Sequence, residues 1–244
     1  MITSDHHRQQ SAKGDTEDLP SPPAVAQVEV GLLQNFCTLL YCADSREAAL
    51  VDPAWEVDRL LREAARLDVR ITKALITHGH PDHVEGIAEL VSATGATVWV
   101  SAAETNRVRG VLRGSAVGQG ADVAFQTVGD RDIVPIGKRG VRALLTPGHT
   151  AGGTCFLADG FVVTGDVLFV GGCGRTDFPG GDASQMWASL QRLAGLPEET
   201  VIYPGHNYGT TPTSTMGREL LENPYLRCAS LDEFRALRER KRRA

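Results

Sequence analysis

After an apolar run ending at Ile76, the chain reads Thr77-His78-Gly79-His80-Pro81-Asp82-His83, which places three histidines and one aspartate within six residues. Imidazole nitrogens and carboxylate oxygens together form a donor set suited to zinc, iron or manganese. A single loop histidine is usually solvated and inert. Four ligand-type residues this close together serve no packing need, and a merely exposed loop would more often use Lys, Glu or Ser. Three further stretches share one local design, a short apolar run followed by a ligand-type residue in a glycine-containing loop. They are Thr146-Pro147-Gly148-His149-Thr150, Thr164-Gly165-Asp166 and Tyr203-Pro204-Gly205-His206. Each alone reads as a turn former or a satisfied polar group. Converging on one sheet edge, the four loops would form a site on a rigid scaffold.

The elements that must position these loops can be read from hydrophobic periodicity. Lys73 to Ile76 is a short buried strand and Val84 to Val91 the helix that follows, so the histidine-rich segment is a strand-to-helix turn held tight by Gly79 and Pro81. Upstream, Val28–Leu33, Phe36–Tyr41 and Glu47–Val51 read as strands, and Val57 to Leu67 as an amphipathic helix. Downstream come a strand at Thr97–Val100, a weaker helix at Ala102–Leu112 and a flexible connection at Gly114–Gly120. Asp122 to Leu157 is mostly β, broken at Gly137–Gly140, and Phe161–Thr164 and Val201–Tyr203 are short strands. Gly171–Gly181 is a loop, and helices are expected at Ala183–Leu193, Met216–Leu221 and Leu231–Arg240. The order suggests two β-rich halves with helices outside. Residues 1–23 are polar and read as a disordered tail whose His6 and His7 are solvated, leaving one domain over residues 24–244.

Composition narrows the class. The 244 residues are 42% hydrophobic and 23% charged, enough for one globular domain with a full core. A net charge of -5 gives no reason to expect nucleic acid, and the basic run from Arg238 to Arg243 reads as a solvated helix end. No apolar run approaches the roughly 18 residues of a membrane span, and no signal-peptide pattern opens the chain. Five scattered cysteines without C-x-x-C spacing read as reduced thiols of a cytoplasmic protein.

Taken as a set, the four stretches resemble the metallo-β-lactamase superfamily, whose Thr-His-x-His-x-Asp-His signature is followed by a downstream His, Asp and His. The resemblance implies an α/β fold, an αββα sandwich of two sheets with helices outside and metals at one sheet edge. Carried over, it implies that His78, His80 and His149 bind a first metal, that Asp82, His83 and His206 bind a second, and that Asp166 bridges them. The implied cofactors are two divalent ions, zinc first, with iron or manganese as alternatives.

Such a pair would bring the pKa of a shared water toward neutrality, and the hydroxide would attack an acyl carbon, with Asp82 orienting the water as well as binding metal. Two branches of the superfamily compete. The stretches Asp166 to Arg175 and Tyr203 to Tyr208 are similar to hydroxyacylglutathione hydrolases, which implies a small thioester substrate with Arg175 and Tyr208 contacting its thiol half. Asp177 stands where that branch has an aromatic residue, and the chain after about Thr213 is too short for its full helical domain. Gly172 to Phe178, with Ser214-Thr215 and Asn223-Pro224, resembles persulfide dioxygenases, which implies one iron on His78, His149 and Asp166. A third reading is a non-catalytic metal-binding protein, but structural zinc sites usually close on four cysteines and histidines. The expected partner is a small thiol-derived molecule, with no nucleic acid or membrane, and self-association into a homo-oligomer stays open. Cys173 is read as a buried or loop thiol, not a nucleophile.

Overall fold

The computed structural model describes residues 14–114 and 122–243. His6, His7 and most of the connection expected at Gly114–Gly120 lie outside the described residues. The first sheet comprises β1 (Ala24–Val30), β2 (Asn35–Cys42), β3 (Glu47–Val51), β4 (Arg70–Leu75), β5 (Thr97–Ser101) and β6 (Phe125–Val128), in that spatial order. The second comprises β7 (Ile133–Ile136), β8 (Arg139–Leu145), β9 (Thr154–Ala158), β10 (Phe161–Gly165), β11 (Val201–Pro204) and β12 (Ser214–Thr215), again in order. Helices α1 (Val57–Arg66), α2 (Pro81–Val84), α3 (Ile87–Thr94) and α4 (Ala102–Gly114) belong to the first half. Helices α5 (Ala183–Leu193), α6 (Met216–Glu222) and α7 (Leu231–Arg243) belong to the second.

Strand alternation builds the layers. Leu39 packs with the helices of the first half, while its neighbour Leu40 faces the second sheet. In β9, Cys155 and Leu157 pack toward α5–α7 whereas Phe156 and Ala158 join the layer between the sheets. This period of two gives each sheet one face on its helices and one on its partner sheet, which is the αββα sandwich expected. Hairpins explain the antiparallel pairs, and crossovers through α1, α3 and α4 explain why β3 to β6 are mutually parallel.

Several boundaries differ from the sequence expectations. The first strand ends at Val30, not Leu33, because Gly31 and Gln34 both take positive φ and turn the chain. A side chain at Gly31 would run into the Trp55 ring, so only glycine fits this turn. The helix expected at Val84–Val91 is two helices, because the Gly86 N–H is taken by the Pro53 carbonyl at 3.0 Å and the helix restarts at Ile87. β12 was not expected, being only two residues long.

The expectation of a disordered segment up to Pro23 is corrected for residues 14–23. Residues 14–16 form a helical turn, and Asp15 is fully buried. Its carboxylate accepts from Arg192 at 2.6 and 2.7 Å and from Arg131 at 2.8 Å. Arg142 Nη1 donates to the carbonyls of Asp15 and Glu17, both at 2.7 Å. A polar composition signals disorder only where no partner waits, and here three arginines on the folded domain supply one. Burial pushes the Asp15 pKa up, but hydrogen bonds and charge from Arg192 and Arg131 outweigh it and hold the carboxyl below its usual range. A depressed carboxylate pKa stabilises the fold above the unfolded value of about 3.9, and that contribution is lost as pH falls through the folded value. Asp15→Asn is expected to cost about 3 kcal/mol in urea unfolding at neutral pH and to remove part of the parent's loss of stability on acidification.

Candidate metal centre

All four loops picked out in the sequence leave C-terminal ends of strands. His78 to His83 follow β4, His149 follows β8, Asp166 follows β10 and His206 follows β11. β8 and β10 both run antiparallel to β9 between them, and β11 runs parallel to β10, so these three ends meet on one side. The first sheet is pinned to the second there by Thr154 N–H donating to the Thr77 carbonyl at 2.8 Å. Gly165, at φ 50°, passes against the Thr77 side chain, and a Cβ there would collide with it.

The seven candidate residues come together in two sets. His80 Nδ1 lies 3.0 Å from His78 Nε2 and 2.9 Å from His149 Nε2. His83 Nε2 lies 3.2 Å from His206 Nε2, and Asp82 Oδ2 is 3.6 and 3.5 Å from those two nitrogens. Asp166 stands between the sets: Oδ2 is 3.5 Å from His149 Nε2, while Oδ1 is 3.3 Å from His83 Nε2 and 3.4 Å from His206 Nε2.

The outward nitrogens decide what these contacts are. His149 Nδ1 faces the Arg175 carbonyl at 2.7 Å and His206 Nδ1 the Leu33 carbonyl at 2.9 Å, so both must donate. His83 Nδ1 donates to Asp52 Oδ2 at 2.9 Å. The Thr77 hydroxyl gives its proton to Asp52 Oδ2 at 2.6 Å and so accepts from His78 Nδ1 at 3.0 Å. These partners place a proton on Nδ1 in four rings, so that each ring in its neutral form points an Nε2 lone pair inward. The inward atoms are then acceptors facing acceptors, and Asp166 Oδ1 is buried without a hydrogen-bond partner. A pair of cations resolves that arrangement, so the donor set fits divalent metals in type and direction. Asp52 lies near His78 and His83 but is already occupied by donors, which makes it an orienting group instead of a donor to metal.

The electrostatics divide the sets. Burial, with repulsion from neighbouring rings, drives the pKa of His78 well down and that of His80 to about 4, and burial also lowers that of His149. Those three rings are therefore neutral lone-pair donors at ordinary pH. Burial also acts against a charge on His83, but Asp166, Asp52 and Asp82 outweigh it and lift the ring to about 9. Burial would raise Asp166, yet His83 and the rings around it hold its carboxyl far below the usual carboxylate range.

Similarity to known proteins agrees with this geometry. Residues 30–206 match the metallo-beta-lactamase superfamily. The chain belongs to that superfamily. It is 33% identical over 208 residues to the probable polyketide biosynthesis zinc-dependent hydrolase BaeB of Bacillus velezensis, covering 85% of this chain and 88% of that protein. It is 41% identical over 179 residues to a hydroxyacylglutathione hydrolase of Fuscovulum blasticum, covering 72% of this chain but only 64% of that protein. Among solved structures, ETHE1 from Myxococcus xanthus superposes with a TM-score of 0.77 at 35% identity, covering 88% and 90% of the two chains. The superfamily membership and its relatives make this a metallo-hydrolase-like chain with the superfamily's sandwich.

The substrate-side candidates are placed differently. Tyr208 is 55% exposed and stacks on His206, ring centroids 4.5 Å apart. The Arg175 guanidinium forms a two-pronged pair with Asp177, both bonds 2.9 Å, and lies 4.3 Å over the Phe178 ring. Phe178 in turn edges His80 at 5.3 Å. Cys173 is buried, as are the other four cysteines. The sequence marks Asp52, Thr77 and Asn35 only as members of longer stretches and gives them no role at the site, whereas in the structure Asn35 Nδ2 donates to Asp82 Oδ2 at 3.2 Å and to its carbonyl at 2.9 Å. Asp52-Pro53 reads in the sequence as a strand end and as part of a hydrolase-like stretch, not as a group that orients the histidines. Because the two Asp166 oxygens face different sets, Asp166→Ala is expected to lower bound metal from about two per chain to below one by elemental analysis. His206→Ala should lower it only to about one, and His6→Ala or His7→Ala should leave it unchanged.

Proposed function

We propose that this chain hydrolyses a small acyl thioester with two divalent metals, zinc first, the acyl carbon being attacked by activated water. The carrying observation is the pair of inward-facing donor sets that share Asp166, one on each of its carboxylate oxygens. His78, His80 and His149 would hold one ion, Asp82, His83 and His206 the other. When bound, the ions supply a water of lowered pKa and polarise the acyl carbonyl. The likeness to BaeB, a probable zinc-dependent hydrolase, and to the hydroxyacylglutathione hydrolases supports the metal and the reaction class.

The chain's own groups then have distinct tasks. Asp82, held by Asn35 and only partly buried, is the acceptor placed to orient the attacking water. Phe178 beside His80 and Tyr208 over His206 flank the donors with aromatic surface that shields the reacting centre from bulk water. A thioester suits the site because an ordinary thiol has a pKa of about 8.5, so its thiolate leaves with little help from a general acid. Arg175, exposed and carried by the residue whose carbonyl holds His149, is the candidate for an anionic group on the thiol half. Asp177 already compensates its charge, so the contribution to binding is modest.

A second reading is a mononuclear iron dioxygenase acting on a persulfide, favoured by the ETHE1 likeness. It uses His78, His149 and Asp166 and leaves Asp82, His83 and His206 as an inward-facing donor set with no ion to hold, which is why hydrolysis is preferred here. Anaerobically purified protein of measured metal content, given a lactoyl thioester of glutathione and, separately, glutathione persulfide, discriminates them. Thiol release without oxygen uptake is the expected result. Rapid oxygen uptake with persulfide and no thioester cleavage would overturn the proposal. Arg175→Ala is expected to raise KM several-fold with a smaller fall in kcat, read from initial rates.

A further inference from the structure

Helix α4 carries none of the seven donors, yet it grips both loops of the three-histidine set. Glu104 on its first turn is 1% exposed. Its Oε2 accepts the N–H of Gly79, between His78 and His80, at 2.9 Å. Its Oε1 accepts the N–H of Gly152, in the loop that carries His149, also at 2.9 Å. Ser101, at the end of β5, donates its hydroxyl to the Gly152 carbonyl at 2.6 Å, so Gly152 is held by both of its backbone polar groups. The two loops hang from different sheets, β4 in the first and β8 in the second. A single buried carboxylate therefore takes one backbone donor from each half of the molecule. Such charge-assisted bonds are stronger than neutral ones, and losing them would strand two buried N–H groups. One turn along, Arg107 lies 3.7 Å from Glu104 and donates to the Pro179 carbonyl at 2.7 Å, in the loop that carries Arg175 and Phe178.

We propose that Glu104 is a positioning residue for one metal site only: it sets the separation of the 78–80 and 149–152 loops, and with it the spacing of His78, His80 and His149. The other set is held by different groups, His83 by Asp52, Asp82 by Asn35 and His206 by the Leu33 carbonyl. None of those contacts involves Glu104, so the effect of changing it is selective. Glu104→Gln keeps the shape but offers one acceptor oxygen and turns an NH2 group toward the second backbone N–H, which opens the clamp on one side. The selectivity rests on the two-metal reading above; the clamp itself does not.

The test uses the full chain loaded with cadmium and read by cadmium NMR and by competition with a chelator. Two resonances are expected from the parent, the more deshielded one from the set richer in nitrogen donors. In Glu104→Gln that resonance should shift or broaden and its Kd weaken about 10–100-fold, while the other resonance and Kd stay as in the parent. Ser101→Ala, which removes one grip and leaves the carboxylate, should move the same resonance by less, and it decides the matter if the glutamine variant does not fold. Parent-like resonances and Kd in the variant that folds, or equal weakening at both sites, would overturn the proposal. A parent that binds a single cadmium would overturn the two-metal reading instead. The clamp would then be judged on that one ion, whose Kd should weaken in Glu104→Gln if the proposal holds and stay unchanged if it fails.

Discussion

Lone pairs point at lone pairs where the two sheets meet, and the rest of the architecture exists under that constraint. A buried polar atom left without a partner costs roughly 1–3 kcal/mol. Several such atoms lie within 3.6 Å of one another here, with Asp166 Oδ1 buried among them. Protons can relieve part of this, and the lift of His83 toward 9 is the form that relief takes. At the three-histidine set, burial and mutual repulsion suppress protonation. Cations, which accept lone pairs from each set, suit the cluster where protons do not.

Holding such a cluster takes groups outside it. Asp52 sits at φ 50°, a strained conformation for a residue with a side chain, and it is nearly fully buried. In that position one oxygen accepts the Thr77 N–H and the other accepts both His83 Nδ1 and the Thr77 hydroxyl. Through Thr77 it reaches His78 as well. One carboxylate thus fixes the tautomer of a ring in each donor set, and the backbone strain is offset by the hydrogen bonds it makes available. The layer between the sheets, built from residues such as Leu40, Leu75 and Phe156, keeps the strand ends from which these groups project in a fixed relation.

The clustering of the seven candidate residues was legible because each is announced locally, by a ligand-type residue in a glycine-bearing turn after an apolar strand. The sandwich was legible for a similar reason, since periods of two and of 3.6 mark which face each element buries. What was not legible depends on partners distant in the chain. Asp52 looks like any strand-ending aspartate until Thr77 and His83 are folded against it. Glu104 lies in a weakly periodic helix, and a buried glutamate there has no signature apart from the two glycine N–H groups it meets. The segment around Asp15 is polar enough to read as a tail, and only the arginines at 131, 142 and 192 give it a place to dock. The break at Gly86 likewise comes from the Pro53 carbonyl, which local periodicity does not contain.

Access separates this centre from a metal site that serves the fold alone. A structural zinc site is closed on four ligands, commonly with cysteine among them. Here all five cysteines are buried outside the donor clusters, and the donors are histidines and carboxylates. His78, His83, His149 and His206 are buried, but His80 is only partly so, and the Asp82 side chain retains 22% of its exposure. One member of each set therefore borders the outside. The mouth between them is edged by Phe178 and Tyr208, at 37% and 55% exposure. Large aromatic rings left half in water beside a buried polar centre contribute little to folding, whereas they provide apolar surface to whatever enters. A cluster built only to staple the two halves together would need neither an opening at both donor sets nor aromatic walls beside it.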